Sequence, residues 1–467
     1  MSRAPSAERD GRRRRPSLPR VGALLAAVIL SAAAGCQSSS ATSASSSGGT
    51  RGTTPDGSLV VGPDQGPGDG AGGEPTTTAP PSSTTTTRQP RTVTIAGSGD
   101  ILLHMPVQRQ GSVNAGGKGY DFTPMFSEMK AEISAADVAL CHQETPISAN
   151  DTGLSGYPVF NAPTEIAAAL KDAGFDGCDT ASNHSIDKGL AGVTATADVM
   201  DAAGLKHTGS FRTAEEAADG GGVLYDAKGV SIGHLAYAYG TNGFPLPAPW
   251  VLNINNGDKM LADAKALKAK GAQIVVMSIH WGNEYQTAPT PDQVALAHKL
   301  LSSPDVDLIL GDHVHVVQPM EKFNDKYVIY GMGNFLSNQS PESDRTLVPS
   351  TQDGGLYTYT FVEKPDGGFQ ATKADYTPTF VHRPDYRIIK TSPTVQPQSF
   401  LRTVKAINSL GAGTNDAVPT TGAVPPEAAG PSTTTTTAKA PTTTTTVATT
   451  SKTSTTVAKA PTTTKRP

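Results

Sequence analysis

Residues 306–315 read Val-Asp-Leu-Ile-Leu-Gly-Asp-His-Val-His, an apolar run that ends in a glycine, a carboxylate and two histidines. A short apolar run of this kind predicts a buried strand. Polar residues directly after such a strand lie at the sheet edge where open α/β sheets place their ligand sites. The stretch therefore predicts an α/β fold with a functional site at the strand ends.

Strand and helix patterns alternate from about Arg91 to Lys390, which predicts one α/β domain over 92–390. Helices are predicted at 163–173, 190–203 and 258–270, each followed by a glycine, and the earlier strands at 92–97, 175–181, 230–237, 272–278 and 306–310. After Lys326 strands dominate, at 327–330, 356–361 and 369–376, and we expect them to form a second, more antiparallel sheet. The expected fold is a sandwich of two sheets flanked by helices.

Four more polar clusters follow predicted strands, at 97–100, 143–146, 182–189 and 280–285. Taken singly, a strand-end aspartate is more often a helix cap, and a lone histidine is more often a surface or satisfied core residue. Together the clusters supply aspartate, glutamate, asparagine and histidine, an oxygen and nitrogen ligand set suited to Mn, Fe or Zn. We therefore predict a metal site. If the chain is extended at His313 and His315, both imidazoles point the same way.

The chain has three cysteines, too few for a disulfide-rich scaffold or a thiolate zinc site. Cys141 and Cys178 fall in predicted strands, as buried thiols or as a mutual disulfide. Cys36 ends Ala33-Ala34-Gly35-Cys36, which resembles a bacterial lipobox. Cys36 is therefore the predicted lipidation site, with an ordinary cleaved signal or an uncleaved anchor as alternatives.

Residues 1–36 predict a signal peptide, because arginines at 12–15 and 20 precede an apolar run over 21–34 that is shorter than the ~20 residues of a membrane span. We expect an exported protein anchored at the outer face of the cytoplasmic membrane. Residues 37–91 predict a disordered linker rich in Ser, Thr, Gly and Pro. No structure is assigned to residues 391–416. Residues 417–467 predict a disordered tail rich in Thr, Pro and Ala. This tail is either simply solvated, or it is associated with the cell wall or glycosylated.

A net charge of −4 with 17% charged residues provides no basic stripe for a phosphate backbone, so we expect no nucleic-acid partner.

The order of the polar motifs is Gly-Asp, Glu, Asn-His, His-Trp-Gly and Gly-x-His-x-His, followed by Gly-Met-Gly-Asn-Phe at 331–335. This order resembles the CapA-like capsule (poly-γ-glutamate) synthesis proteins, which belong to the calcineurin-like metallophosphoesterases. The resemblance covers essentially the whole predicted domain. It implies a metallo-dependent phosphatase-like two-sheet sandwich flanked by helices, with two divalent metals.

The resemblance also implies roles for individual residues. It puts Asp100 and His315 on one metal, Asn183, His280 and His313 on the other, and Glu144 between them as a bridge. It makes His184 the acid that protonates or stabilises the leaving oxygen.

The motifs depart from the superfamily in two places. The superfamily usually has Asp-x-His in the first motif, whereas here a serine-glycine turn precedes Asp100 and Ile101 follows it, with His104 as a candidate substitute for the histidine. The superfamily usually has an aspartate bridge, whereas here the bridge is a glutamate. Asp312 either accepts an imidazole N–H or caps a turn. Four further residues either line the pocket or pack beside it, namely Trp281, Tyr285, Asn334 and Asn338.

Two functions follow from this resemblance. Two metals ~3.5–4 Å apart would polarise phosphoryl oxygens and lower the pKa of a water toward ~7, which predicts phosphoester hydrolysis. The family implies a role in capsule or poly-γ-glutamate biosynthesis or export, with that polymer or another anionic envelope polymer and a membrane synthase as partners. The alternative is a non-catalytic component that binds polymer or synthase and carries a vestigial metal site. Fold and motif alone do not decide between them.

Overall fold

The computed structural model describes residues 88–411 and 413–429. The expected signal peptide with Cys36, residues 37–87 of the expected linker and residues 430–467 of the expected tail lie outside this range. Within it, every helix is too short or too polar to cross a membrane.

The described residues form two central sheets. The fifteen strands are β1 (Thr92–Ile101), β2 (Val138–Gln143), β3 (Gly177–Asp179), β4 (Lys206–Thr208), β5 (Val223–Ala227), β6 (Val230–Ala238), β7 (Ile274–His280), β8 (Leu308–Asp312), β9 (Met320–Phe323), β10 (Lys326–Ile329), β11 (Asn334–Leu336), β12 (Asp353–Glu363), β13 (Phe369–Val381), β14 (Ile388–Lys390) and β15 (Val418–Pro419). The first sheet has the order β14-β13-β12-β1-β2-β3-β4, with β11 paired to β1 and β15 to β13, and the second has the order β5-β6-β7-β8-β10-β9.

The helices are α1 (Met105–Asn114), α2 (Thr123–Phe126), α3 (Lys130–Ser134), α4 (Glu165–Ala173), α5 (Gly189–Ala203), α6 (Gly257–Ala269), α7 (Pro291–Leu301) and α8 (Pro397–Ile407). Helices α1–α7 cover the outer faces of the two sheets, whereas α8 packs on the core between them. Alternate strand residues face opposite layers, so Ile95 joins the core between the sheets and Ala96 joins the core under α1–α5. Likewise Leu308 faces the inner core and Ile309 faces α6 and α7. The predicted sandwich of two sheets flanked by helices is confirmed.

The late strands are distributed differently from the expectation. They do not form a sheet of their own, because β12 pairs antiparallel with β1 and β13 pairs antiparallel with β12, while β10 pairs parallel with β8. Both sheets are therefore mixed. The first is antiparallel from β14 to β1 and parallel from β1 to β4, whereas the second has a parallel centre and antiparallel edges. Strand periodicity predicts that these segments are strands, but pairing depends on contacts between residues far apart in the chain.

The C-terminal part of the fold extends beyond the predicted boundaries. Residues 397–407 form α8, and Val418 and Pro419 pair with β13, inside the segment predicted as a disordered tail. Phe400 and Val404 are buried in the core between the sheets, and Ala428 is buried in the same core. The fold therefore continues to about residue 429, because this segment covers apolar surface of β12 and β13.

Phe400→Ala is expected to lower the free energy of unfolding by about 3–5 kcal/mol, because the buried ring would leave a cavity. Val395→Ala is the control: Phe400 is 1% exposed and Val395 is 47% exposed, so the control change stays within about 0.5 kcal/mol. Urea titration of residues 88–429 measures both. Equal stability of the two variants would contradict the assigned packing of α8.

A disulfide joins Cys141 of β2 to Cys178 of β3, which selects one of the two alternatives that the sequence left open. The two residues are directly paired on adjacent parallel strands. Their side chains lie in the core under the helices of the first sheet. The bond therefore fixes the register of β2 and β3 just before the strands end.

Reduction of this disulfide is expected to lower stability by about 3–4 kcal/mol, since the bond closes a loop of 37 residues in the unfolded chain. Denaturant titration with and without reductant measures the difference. The Cys141→Ala/Cys178→Ala double variant should be insensitive to reductant. A wild-type midpoint that reductant leaves unchanged would contradict the prediction.

Candidate metal centre

Polar side chains from both sheets converge at the carboxyl ends of their parallel strands. β1, β2 and β3 run parallel in the first sheet, as do β6, β7 and β8 in the second. Asp100 lies near the end of β1, and His280 ends β7. This edge of the sandwich therefore collects residues that are far apart in the sequence.

Asp100, Glu144 and His315 form the first group of candidate ligands. Asp100 Oδ2 lies 2.8 Å from His315 Nδ1, and His315 Nε2 lies 3.8 Å from Glu144 Oε1. One ligand atom from each residue lies within 4.8 Å of the others, and all three are buried. This spacing suits a shared ion.

Asn183, His280 and His313 adjoin the first group. Asn183 Oδ1 lies 2.9 Å from His280 Nε2, and the rings of His280 and His313 have centroids 4.6 Å apart. The backbone N–H of His313 donates to Asp100 Oδ1 at 3.2 Å, which links the two groups. The structure thus brings together all six residues predicted as metal ligands.

Several of these donor atoms have no hydrogen-bond partner among the described residues. They are both carboxylate oxygens of Glu144 and the Nδ1 atoms of His280 and His313. Buried polar atoms are normally paired, because leaving one unpaired costs desolvation free energy. Unpaired carboxylate oxygen and imidazole nitrogen atoms in one buried cluster fit a divalent metal. The clustered side chains therefore suggest divalent metal binding.

Burial sets the protonation of these groups. It lowers the pKa of His313 to about 3 and that of His280 well below the usual value, so both imidazoles are neutral and have a lone pair for a metal. Burial raises the pKa of Glu144 to about 7. Burial also disfavours the charged form of His315, but Glu144 and Asp100 outweigh it and raise its pKa to about 9. A metal ion would replace that proton.

Two close backbone contacts hold Asp100. Its N–H donates to the carbonyl of Gly333 at 2.9 Å. A Cβ added to Gly99 would lie 1.9 Å from the same carbonyl oxygen, so only glycine fits beside it. The two glycine-containing motifs thus meet in space and position the carboxylate.

His313 and His315 are not extended, contrary to the condition stated for them. Their φ angles are +91° and +58°, both in the left-handed region that favours glycine. Such conformations cost about 1–3 kcal/mol each and concentrate at functional sites. The tight local turn brings both imidazoles to the centre, with ring centroids 6.1 Å apart.

His184 faces a cavity next to the two groups. Its Nδ1 is hydrogen-bonded to Asp187 Oδ2 at 2.8 Å, and its ring packs edge-on against Phe160. The side chain lines the cavity while its neighbour Asn183 lies beside His280. This placement suits a proton donor to a bound substrate.

The other predicted residues divide into those at the cavity and those in the core. His104, Tyr285 and Asn338 line the cavity, and burial lowers the pKa of His104 to about 3. His104 belongs to none of the metal-ligand groups found among the described residues. Asn334 is buried beside the centre, with Oδ1 3.2 Å from His315 Nδ1. Trp281 instead packs in the core against α6 and α7 and donates to the carbonyl of Tyr330.

Asp312 takes neither of the two roles considered for it. Its carboxylate oxygens have no hydrogen-bond partner among the described residues, so it neither accepts an imidazole N–H nor caps a turn. Oδ2 lies 3.8 Å from His142 Nδ1, and burial raises the pKa of Asp312 well above its usual range. The residue ends β8 with its side chain directed toward β2.

Sequence reasoning missed His142 and Asp179. His142 Nδ1 lies 2.5 Å from Asp179 Oδ1, and His142 Nε2 lies 3.9 Å from Asp100 Oδ1. Burial disfavours a charged imidazole, but the surrounding carboxylates outweigh it and raise the pKa of His142 well above its usual value. Alternate residues of a strand lie on the same face, so the position of His142 two residues before Glu144 could have indicated that its side chain lies at the site.

The cavity beside the centre has a volume of about 590 Å³ and carries aromatic residues at its mouth. Tyr157 is 77% exposed and Phe244 is 41% exposed. Among the described residues that line it there is no lysine or arginine, whereas Glu284 and Asp344 supply carboxylates. Positive charge in this lining therefore comes not from lysine or arginine but from His315, whose pKa is raised, and from any metal ions bound beside it.

Comparison with known proteins adds to this geometry. The chain is 28% identical over 267 residues to the Capsule biosynthesis protein CapA of Bacillus anthracis, which covers 54% of this chain and 61% of that protein. It is 27% identical over 289 residues to the PGA biosynthesis protein CapA of Bacillus subtilis (strain 168), which covers 59% of this chain and 70% of that protein. The chain thus spans less than two thirds of the first of these relatives.

A solved structure, the calcineurin-like phosphoesterase YfkN from Bacillus subtilis, is similar with a TM-score of 0.38 and 12% identity, over 67% of this chain and 98% of that chain.

Residues 94–339 match the family described as Bacterial capsule synthesis protein PGA_cap. The match includes all six predicted metal ligands and His184. Because it spans more than half of the chain, this protein belongs to the PGA_cap family of bacterial capsule synthesis proteins.

Proposed function

We propose that this protein is a metal-dependent phosphoesterase that acts in the synthesis or export of a capsule polymer such as poly-γ-glutamate. The observation that carries the proposal is the pair of adjoining ligand groups, in which both oxygens of Glu144 and the Nδ1 atoms of His280 and His313 have no partner among the described residues. A cavity that exposes His184 opens beside them. Metal ligands beside a proton donor are what metal-assisted ester hydrolysis requires.

The centre would hold two divalent ions. Asp100 and His315 would bind one, and Asn183, His280 and His313 the other, with Glu144 shared through its two unpaired oxygens. Bound ions of this type polarise a phosphoryl oxygen and lower the pKa of a water molecule. The protein contributes fixed positions for these ligands through the short turns that follow its strands.

His184 would donate a proton to the leaving oxygen. Its hydrogen bond to Asp187 fixes the ring orientation, as second partners of catalytic imidazoles do. Phe160 packs against the same ring and limits its movement. General acid catalysis of this kind contributes about 10²–10⁴ in rate.

The charge of the cavity indicates the chemical character of the substrate group that is attached to the phosphoryl group. The phosphoryl group would meet the metal ions, but the group beyond it would meet Tyr157, Phe244 and the carboxylates of Glu284 and Asp344. A neutral group with an apolar face suits these residues, whereas a long polyanion would be repelled. This favours ester cleavage over storage of an anionic polymer in the cavity.

A second candidate is a non-catalytic component that binds polymer or a membrane synthase. The family match and the names of the two CapA relatives favour it. In this case the polymer would bind outside the cavity. We propose for either candidate an exported protein held at the membrane through Cys36, supported by the basic and apolar stretches before that residue. Release of a Cys36→Ser variant from the membrane fraction would support the anchor, and unchanged retention would oppose it.

The test of the phosphoesterase uses purified residues 88–429, the range that includes α8 and β15. Elemental analysis gives the metal content, and p-nitrophenyl phosphate and bis(p-nitrophenyl) phosphate with added Mn²⁺ give turnover. We expect about two metals per chain and activity that a chelator removes and Mn²⁺ restores. Metal without turnover on either ester would favour the non-catalytic component, and absence of bound metal would overturn the proposed centre.

A further inference from the structure

His142 is fully buried among acidic side chains at the end of β2. Its Nδ1 is 2.5 Å from Asp179 Oδ1 and 3.8 Å from Asp312 Oδ2, and its Nε2 is 3.9 Å from Asp100 Oδ1. Nε2 has no hydrogen-bond partner among the described residues. Thus one nitrogen of the ring is held by a carboxylate, and the other faces the two ligand groups.

The free nitrogen lies between those groups. Asp100, His142 and His280 each offer a ligand atom, and these atoms lie within 4.8 Å of one another. The rings of His142 and His280 have centroids 4.9 Å apart. His142 therefore joins Asp100 of the first group to His280 of the second.

The contact with Asp179 has the form expected of a metal-binding histidine. Such histidines almost always donate the second ring N–H to a carboxylate or carbonyl, which fixes the tautomer and directs the other nitrogen at the metal. His142 and Asp179 are directly paired on β2 and β3, immediately after the disulfide-linked pair Cys141 and Cys178. The disulfide thus lies one residue before His142 and Asp179 and holds the two strands in the register that pairs them.

We propose that His142 is an additional metal ligand of this centre, binding through Nε2 on the side of Asp100 and His280, with Asp179 as its positioning residue. The inference rests on the proposed metal centre, but it does not require that the centre hydrolyse esters. It adds a ligand from β2 two residues before Glu144, so that this strand end would contribute two donors.

A buried histidine elsewhere in the fold provides a matched control. His234 of β6 is also fully buried, with Nε2 hydrogen-bonded to Ser278 and Nδ1 without a partner among the described residues. Within residues 88–411 and 413–429, it belongs to none of the groups that could hold a metal. A histidine that serves only packing should behave like His234 when it is replaced.

The test is the affinity of metal-free residues 88–429 for Mn²⁺, measured by calorimetric titration. His142→Gln should weaken binding at least ~10-fold, and Asp179→Ala about 10–100-fold, with partial recovery in Asp179→Asn because the amide oxygen can still accept from Nδ1. The visible absorption of the Co²⁺-loaded protein should change in His142→Gln. His234→Gln should keep wild-type affinity and spectrum even if its metal-free melting temperature falls.

Wild-type Mn²⁺ affinity and an unchanged Co²⁺ spectrum in His142→Gln would overturn the assignment. If that variant does not fold, equal affinities of Asp179→Ala and wild type would overturn it instead. Failure of the proposed function has a different signature. In that case the wild type binds metal without ester turnover, and the affinity differences among these variants persist.

Discussion

Asp100→Asn is expected to lose metal and to lower kcat/KM for aryl phosphates at least ~10³-fold, equivalent to about 4 kcal/mol of transition-state stabilisation. The carboxylate contacts His315 through Oδ2, while Oδ1 accepts the backbone N–H of His313. Asparagine keeps the size of the side chain and an acceptor for that N–H, but it lacks the negative charge of the carboxylate and therefore binds a divalent ion more weakly. The change therefore weakens a ligand with little disturbance of the turn.

The measurements are metal content by elemental analysis and turnover with added Mn²⁺. His298→Gln serves as the control, because His298 pairs with Glu321 outside the ligand groups and should leave both quantities unchanged. A variant that keeps its metal and most of its activity would show that Asp100 is not a ligand. Thermal unfolding of the metal-free proteins checks that both variants fold.

His184→Gln is expected to lower kcat by about 10²–10⁴ for esters with poor leaving groups while leaving metal content unchanged. The reason is that protonation matters most when the departing oxygen is strongly basic. With p-nitrophenyl phosphate, whose leaving group departs readily without a proton, the loss should be much smaller. A series of substituted phenyl phosphates therefore measures the role directly, through a steeper dependence of rate on leaving-group pKa in the variant.

Asp187→Asn is the companion to this variant. Asp187 accepts the backbone N–H of Phe160 as well as facing His184, and asparagine can retain one of these contacts. We expect a smaller loss with the same leaving-group trend. An equal loss for all leaving groups in His184→Gln would indicate that the histidine binds substrate rather than supplying a proton.

Much of the fold was predictable because the strands have strong local signals. The apolar run at 306–310 and the polar residues after it predict β8 and the residues beyond it, and the same pattern holds for His280 at the end of β7. Parallel strands carry their carboxyl ends to a common edge, so motifs distant in sequence could be expected together. The residues thus predict a metal site at this edge, and the resemblance to the CapA-like family implies which six residues are its ligands.

Features that depend on tertiary contacts were not predictable in the same way. α8 is preceded by polar residues and covers β12 and β13, whose exposed apolar surface cannot be inferred from residues 397–407. The sequence left open whether Trp281 lines the pocket or packs; adjacent positions point to opposite sides, and its ring enters the helical core. The left-handed conformations of His313 and His315 depend on the surrounding turn, and neither residue type signals them.

The length and direction of β1 also have a consequence for how the protein can be attached to a surface. The strand runs from Thr92 to Ile101, and Asp100 lies near its far end. At about 3.3 Å per residue, roughly 25 Å separate the start of the strand from that carboxylate. A bead, a sensor chip or a fused protein attached N-terminal to Thr92 would therefore lie at the end of the sheet opposite Asp100. The mouth of the cavity would then stay open to diffusing ligands.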